Sequence, residues 1–262
     1  MATAPANNLP LLYNQLEPLS SSQHGQLKAR TRDSAPFLVN VHAIPITSDE
    51  FILCQRHYPI VFSVGENPVP LVLMGLNEGV NVFIDDEGKP RGEYYIPAYA
   101  RRYPFMLARL RPEADELSLC FDPTSDVIGD FEEGTPLFEE GKPSAATSAL
   151  LKFCEDFEMS AQRTAAFMKE VKEADLLMDG EVSIQVNNEN GEPAPPFIYR
   201  GFKMVSEEKL RDLRGDALRK MNQNGMLPLL FAHLFSLQLI REIFGKQVEQ
   251  GKMPQPNPPI TN

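Results

Sequence analysis

Residues 145–177 read AATSALLKFCEDFEMSAQRTAAFMKEVKEADLL, and this stretch decides the helical half of the fold. Leu150, Cys154, Phe157, Ala161, Thr164, Met168 and Val171 follow one another at alternating spacings of four and three. That spacing lays one continuous stripe along a single helix face. Such a stripe needs a partner face. The run from Leu227 to Phe244, apolar nearly all round, can supply it and belongs in the centre of the fold.

Between these two helices the sequence predicts a hairpin. Glu181 to Val186 and Phe197 to Val205 flank the Gly/Pro-rich loop Asn190-Gly191-Glu192-Pro193. Ser206 is placed to cap a short helix over Glu207 to Leu213. A second short helix from Gly215 or Asp216 to Gln223 stops at Asn224-Gly225.

On the N-terminal side the patterning changes to β. Strands are expected at Phe37 to Ile44, Ile60 to Ser63, Leu71 to Leu76, Val80 to Asp85, Tyr94 to Ile96, and as a pair at Phe105 to Leu110 and Leu117 to Phe121. Ser48 is the expected cap of a helix over Asp49 to Arg56. The fold class is therefore α+β: an antiparallel, meander-like sheet from the N-terminal half packed by two long helices from the C-terminal half. Residues 1–34 are polar and breaker-rich and read as a flexible segment, residues 35–245 as a single domain, and residues 246–262 as a disordered proline-rich tail.

The chain has 262 residues and a net charge of −11, with 42% apolar and 23% charged residues. That charge argues against nucleic acid and against anionic membrane surfaces. Cys54, Cys120 and Cys154 are widely spaced with no CxxC pair, which fits buried thiols in a reducing compartment. No signal-peptide pattern is seen, and the longest apolar stretch, Met226 to Ile240, is shorter than a bilayer span. The expectation is a soluble cytoplasmic protein without membrane insertion.

Charge is unevenly spread. Six bases and one acid lie between Lys89 and Arg111, while ten acids and no base lie between Glu113 and Glu140. The acidic segment reads as a solvated flank partly paired with the basic one; a cation site or partner-docking surface are the other readings.

Catalytic templates are missing: there is no GxSxG, HExxH or GxGxxG. Gly134 to Ser144 imitates a phosphate loop, but its spacing is wrong and Pro143 stands where a hydroxyl is required. Asp122, Asp126 and Glu133 fall at calcium-loop positions, with Val127 where glycine is needed. Cys54 and His57 are a ligand pair without further ligands. No metal or cofactor is expected.

His233 and Ser236 share one face of the last apolar helix, so they either hydrogen-bond within the core or line a pocket. The densest recognition-type stretch is Tyr94 to Phe105, YYIPAYARRYPF. One reading is structural: the prolines fix a corner, tyrosines pack beneath it, and the arginines pair internally. The other is a pocket for an anionic ligand or peptide, with arginine forks and rigid tyrosine walls.

Several segments together resemble the bacterial SapC family, named for proteins of surface-layer loci. They are Gln23 to Leu27, Tyr58 to Phe62, Leu73 to Leu76 with Asn81 to Phe83, Tyr95 to Tyr99 running into Arg101 to Phe105, Gly134 to Phe138 with Gly141, Gly201-Phe202, and His233 to Leu237. The resemblance spans roughly residues 15 to 245. It implies no catalytic residues and suggests a role near surface-layer or outer-membrane uptake and secretion systems.

The expected function is a non-enzymatic binding or accessory protein that recognises a peptide or protein partner. The expected contact residues are Tyr95, Tyr99, Arg101, Arg102, Tyr103, His233 and Ser236. The alternative is a peptide- or small-molecule-modifying enzyme whose pocket joins the tyrosine-arginine stretch to the last helix.

Overall fold

The computed structural model describes residues 9–110, 116–186, 192–193 and 195–252. Helices and small, wholly antiparallel sheets alternate, an α+β architecture. The chain divides into two compact units: residues up to Ala35 with Ala98–Met159, and Pro36–Pro97 with the residues from Ser160 onward.

In the first unit the expected strand pair forms. Phe105–Ala108 lies antiparallel to Ser118–Phe121, whose other side takes Glu17–Pro18. A second sheet centres on Lys28–Ala29, between Ile128–Gly129 and Thr135–Pro136. Residues 9–34, expected to be flexible, thus contribute to both sheets. Their strands are two residues long, too short to carry a readable alternation. Phe105, Leu107, Phe121, Ile128, Leu137 and Cys154 form the core. All three cysteines are free and buried.

The long helix Ala145–Glu173 runs 29 residues, and Ser144 Oγ accepts from the Thr147 N–H at its start. Every residue of the predicted stripe from Leu150 to Val171 is buried or half-buried.

The second unit is built on a five-stranded sheet in the order Leu177–Asp179, Lys203–Val205, Ile60–Phe62, Pro70–Leu73, Ala43–Pro45. Successive strand residues face opposite ways, and Ile60, Val61 and Phe62 are all buried, so both faces of the sheet are covered. The predicted hairpin folds as two nested pairs, with Val182–Ile184 against Phe197–Tyr199 beyond the sheet. Gly180 lets Phe202 close over it: a Cβ there would fall 2.2 Å from the Phe202 ring.

Several local expectations are corrected. Pro36–Leu38 is a 3-10 turn, and the strand begins only at Ala43. Thr47, not Ser48, opens the next helical turn, through a capping box in which Glu50 Oε2 accepts from both the Thr47 N–H and the Thr47 hydroxyl. Val80 to Asp85 and Tyr94 to Ile96 form no strand beyond one bridge, Ile84 with Pro90. Side chains replace the ladder there: Asn81 Oδ1 accepts from Phe83 N–H, and the Tyr58 hydroxyl donates to Tyr95 O.

Gly75 belongs to the same loop, and a Cβ on it would lie 2.0 Å from the Val80 carbonyl oxygen. Gly75→Ala is expected to cost about 3 kcal/mol, since backbone rather than a side-chain tip must move. Denaturant midpoints of the two proteins check this; equal midpoints would contradict it.

The second long helix is two helices, Met226–Ser236 and Leu239–Glu249. The Ser236 hydroxyl donates to His233 O, and Leu237 N–H turns to Leu234 O, tightening the ladder at the junction. The backbone stays right-handed helical through Leu237 and Gln238, so a 24-residue helical run results. By length and composition this run is long enough to cross a membrane. Its His233, Ser236 and Gln247 side chains, however, bond to strands and loops of its own unit. The helix passes the predicted tail boundary at residue 246 and ends at Glu249; residues 253–262 lie outside the described residues.

Candidate functional site

His233 and Ser236 are brought together inside the second unit, where two strands part. Ile60–Phe62 and Lys203–Val205 share only the Phe62–Lys203 pairing, and beyond it the ladder opens. The imidazole fills that opening. Nδ1 lies 2.8 Å from Ile60 O, and Nε2 accepts from the Val205 N–H at 3.0 Å, so Nδ1 carries the proton. Ser236 Oγ accepts from the Ile60 N–H at 2.8 Å while donating to His233 O. Burial holds the His233 pKa down at about 4, opposed by its bond to the Ile60 carbonyl. The neutral ring has both nitrogens bonded, and the Ser236 proton is committed to His233 O rather than to the ring.

The tyrosine-arginine stretch is shared between the units. Tyr95 belongs to the second, where its hydroxyl donates to Glu50 Oε1 at 3.0 Å. Tyr99, Arg101, Arg102 and Tyr103 belong to the first. The Tyr99 hydroxyl donates to Leu11 O at 2.9 Å, and burial raises its pKa against the pull of Arg102.

Arg102 is only 4% exposed. Its guanidinium carbon sits 4.5 Å from the Tyr99 ring centre and 4.2 Å from that of Phe157, with Nη1 3.3 Å from Glu158 Oε1. The partner of Arg102 is therefore on the long helix, not in the acidic segment. Arg101 is exposed and stands over Phe153 at 5.2 Å, and Tyr103 is half-buried. Burial raises the Tyr103 pKa, with the Asp122 carboxylate adding to it.

The acidic segment is also engaged, though Glu113 and Asp115 lie outside the described residues. Asp122 is fully buried and accepts from the Asn14 and Thr124 N–H groups and the Thr124 hydroxyl, while Asp126 pairs with Arg32. Among the described residues no group of three His, Cys, Asp or Glu is placed to hold a metal ion. An open cleft of about 400 Å³ lies at Arg30, Thr31, Glu132, Glu133 and Gly134, all of them exposed.

A surface that the sequence did not single out lies on the helix Met226–Ser236. Phe231 and Phe235 stack with ring centres 5.7 Å apart, and Phe235 is 63% exposed. From Met221 to Ile240 the chain carries no Asp, Glu, Lys or Arg, and the histidine it contains is buried and neutral. The signal was present in the sequence. A helix apolar nearly all round has more apolar faces than one core contact covers, yet periodicity does not say which is left outside.

The family model SapC matches residues 19–243. The chain belongs to the SapC family. No curated protein and no solved structure matches it. The SapC segments have legible structural work here. Gly75 and Asn81 shape one loop, Tyr99 and Arg102 stack in the first unit, and His233 and Ser236 close the opened ladder in the second. Phe235, inside the SapC segment His233 to Leu237, points the other way, into solvent.

Proposed function

We propose that this SapC-family chain is a non-enzymatic binding or accessory protein that recognises a protein or peptide partner through the Phe231–Phe235 face. The observation carrying this reading is a stacked aromatic pair left in solvent, on an uncharged helix face, within a family segment whose polar members are already bonded. Exposed aromatics on uncharged ground are the residues that anchor protein contacts. Arg101 and the half-exposed edge of Tyr103 supply a second, polar contact on the first unit. The buried thiols fit a reducing compartment, and the family's name supports a place beside surface-layer or outer-membrane uptake and secretion systems.

Phe231→Ser with Phe235→Ser is expected to lower partner recovery at least tenfold in cross-linked pull-downs from the producing cell, with circular dichroism unchanged. Undiminished recovery from the folded double variant would sink the reading. Loss with Arg101→Ala instead would move the contact to the first unit.

A further inference from the structure

The outermost strand of a sheet turns one row of N–H and C=O groups away from its neighbours, and proteins usually blunt such edges with proline or charge. Glu17–Pro18 and Ala43–Pro45 are edge strands that end in proline, and the edge strand Leu177–Asp179 carries the exposed Asp179. Phe105–Ala108, at the other edge of the sheet that holds Glu17–Pro18, has neither proline nor charge.

The ladder fixes which of its groups point outward. Asp122 N–H bonds to Pro104 O, and Leu119 O accepts from the Leu19 N–H on the far side of Ser118–Phe121. Bonded pairs alternate along an antiparallel ladder, so Met106 and Ala108 bond to Cys120 and Ser118, while Phe105 and Leu107 turn their main chain away. The Phe105 groups are answered internally. Its N–H donates to Arg102 O and its carbonyl accepts from the Tyr13 hydroxyl, both at 2.7 Å. Leu107 N–H and C=O have no hydrogen bond among the described residues, although Leu107 is only 7% exposed. Buried main-chain groups are almost always paired. Two residues on, Arg109 is exposed; among the described residues its main chain is likewise unbonded and its guanidinium makes no ion pair.

We propose that the Phe105–Ala108 edge is a strand-addition site for an extended acidic segment of a partner, which bonds to the main chain of Leu107 and Arg109 and sets a carboxylate opposite the Arg109 side chain. Main-chain bonds supply the affinity of such an added strand, and side chains placed across the new pair supply the selection. The edge is already ordered for this, because the Phe105 and Leu107 side chains are fixed in the core of the first unit. Arg109 favours an acid across the pair, and Leu110 beside it, 53% exposed, offers apolar contact to the residues that alternate with the acid. The Phe231–Phe235 face belongs to the second unit, so the two readings stand or fall separately.

The probe is a capped hexapeptide of alternating valine and glutamate at millimolar concentration, set against its valine–lysine counterpart, with amide exchange of the full chain followed residue by residue. Without peptide, the Leu107 amide is expected to exchange at least tenfold faster than those of Met106 and Ala108. The glutamate peptide is expected to slow it at least fivefold and the lysine peptide to leave it unchanged, and Arg109→Glu should exchange these preferences. A Leu107 amide as protected as its neighbours in the free chain would mean the edge is already covered. Protection that grows with protein concentration alone would assign it to a second copy. Equal slowing by both peptides would remove the acidic partner, and slowing by neither would remove strand addition; each of these four results overturns the proposal.

Discussion

Replacing His233 by alanine is expected to destabilise the second unit by about 4 kcal/mol, the cost of two buried backbone groups losing their partners plus the cavity left by the ring. Ile60 O and Val205 N–H cannot find each other, because the ladder has already opened between their strands. The effect should be local: amide exchange is expected to accelerate across Ile60–Phe62 and Lys203–Val205 and to leave Phe105–Ala108 unchanged. Uniform acceleration in both units would contradict the local role. The same ring sets an acid limit. Its pKa is near 4 in the fold against 6.5 outside it, so between those values the unfolded chain binds a proton that the folded chain does not. Stability therefore rises with pH through this window; it is complete above 6.5 and has fallen by about 3 kcal/mol at the lower end. Comparing wild type with His233→Gln isolates this slope from the carboxylates, because the glutamine variant has no group titrating there. Parallel pH profiles for the two proteins would refute the assignment.

What the sequence disclosed and what it withheld follow from how each element is held. The long helix was legible because its stripe repeats over 29 residues. The strands Ile60–Phe62 and Phe105–Ala108 were legible because buried β-branched or aromatic runs bounded by turns have few other solutions. Glu17–Pro18 and Lys28–Ala29 were not, since two residues carry no period. Tyr94 to Ile96 has strand composition, yet the Tyr95 carbonyl is taken by the Tyr58 hydroxyl, a partner 37 residues away that no local pattern announces. His233 and Ser236 stand out in the sequence as polar groups that need partners, in the core or at a partner contact, and in the structure they bond within their own unit. Their partners are main-chain atoms of strands far away in sequence, which is why a pocket and a core bond looked alike. The exposure of Phe235 was hidden by the opposite ambiguity, because apolar residues on every side of a helix do not reveal which side meets water.

Arg102→Ala is expected to cost the first unit about 3 kcal/mol, while Glu158→Gln costs under about 1 kcal/mol, because packing between rings outweighs the ion pair. Nη1 stands 3.3 Å from the carboxylate, Nε makes no hydrogen bond, and the Glu158 side chain is 31% exposed, so water already answers part of its charge. The flat guanidinium, by contrast, lies against Tyr99 on one contact and Phe157 on the other, in a site nearly closed to solvent. A desolvated cation over aromatic faces is worth about 2 kcal/mol, and removing the side chain leaves a void beside the Tyr99 ring, which its hydroxyl bond to Leu11 O holds in place. Arg102→Met separates the two contributions. It keeps most of the volume and drops the charge, and Glu158 is free to turn outward, so it should recover more than half of the alanine loss. Arg102→Lys should recover less than methionine, since a compact ammonium can neither stack between the rings nor stay buried without a close partner. Denaturant unfolding, followed by amide exchange in Phe105–Ala108 and Ser118–Phe121, orders the four variants. Should Glu158→Gln prove as damaging as Arg102→Ala, with methionine no better than alanine, the ion pair would be what holds the tyrosine-arginine segment in place.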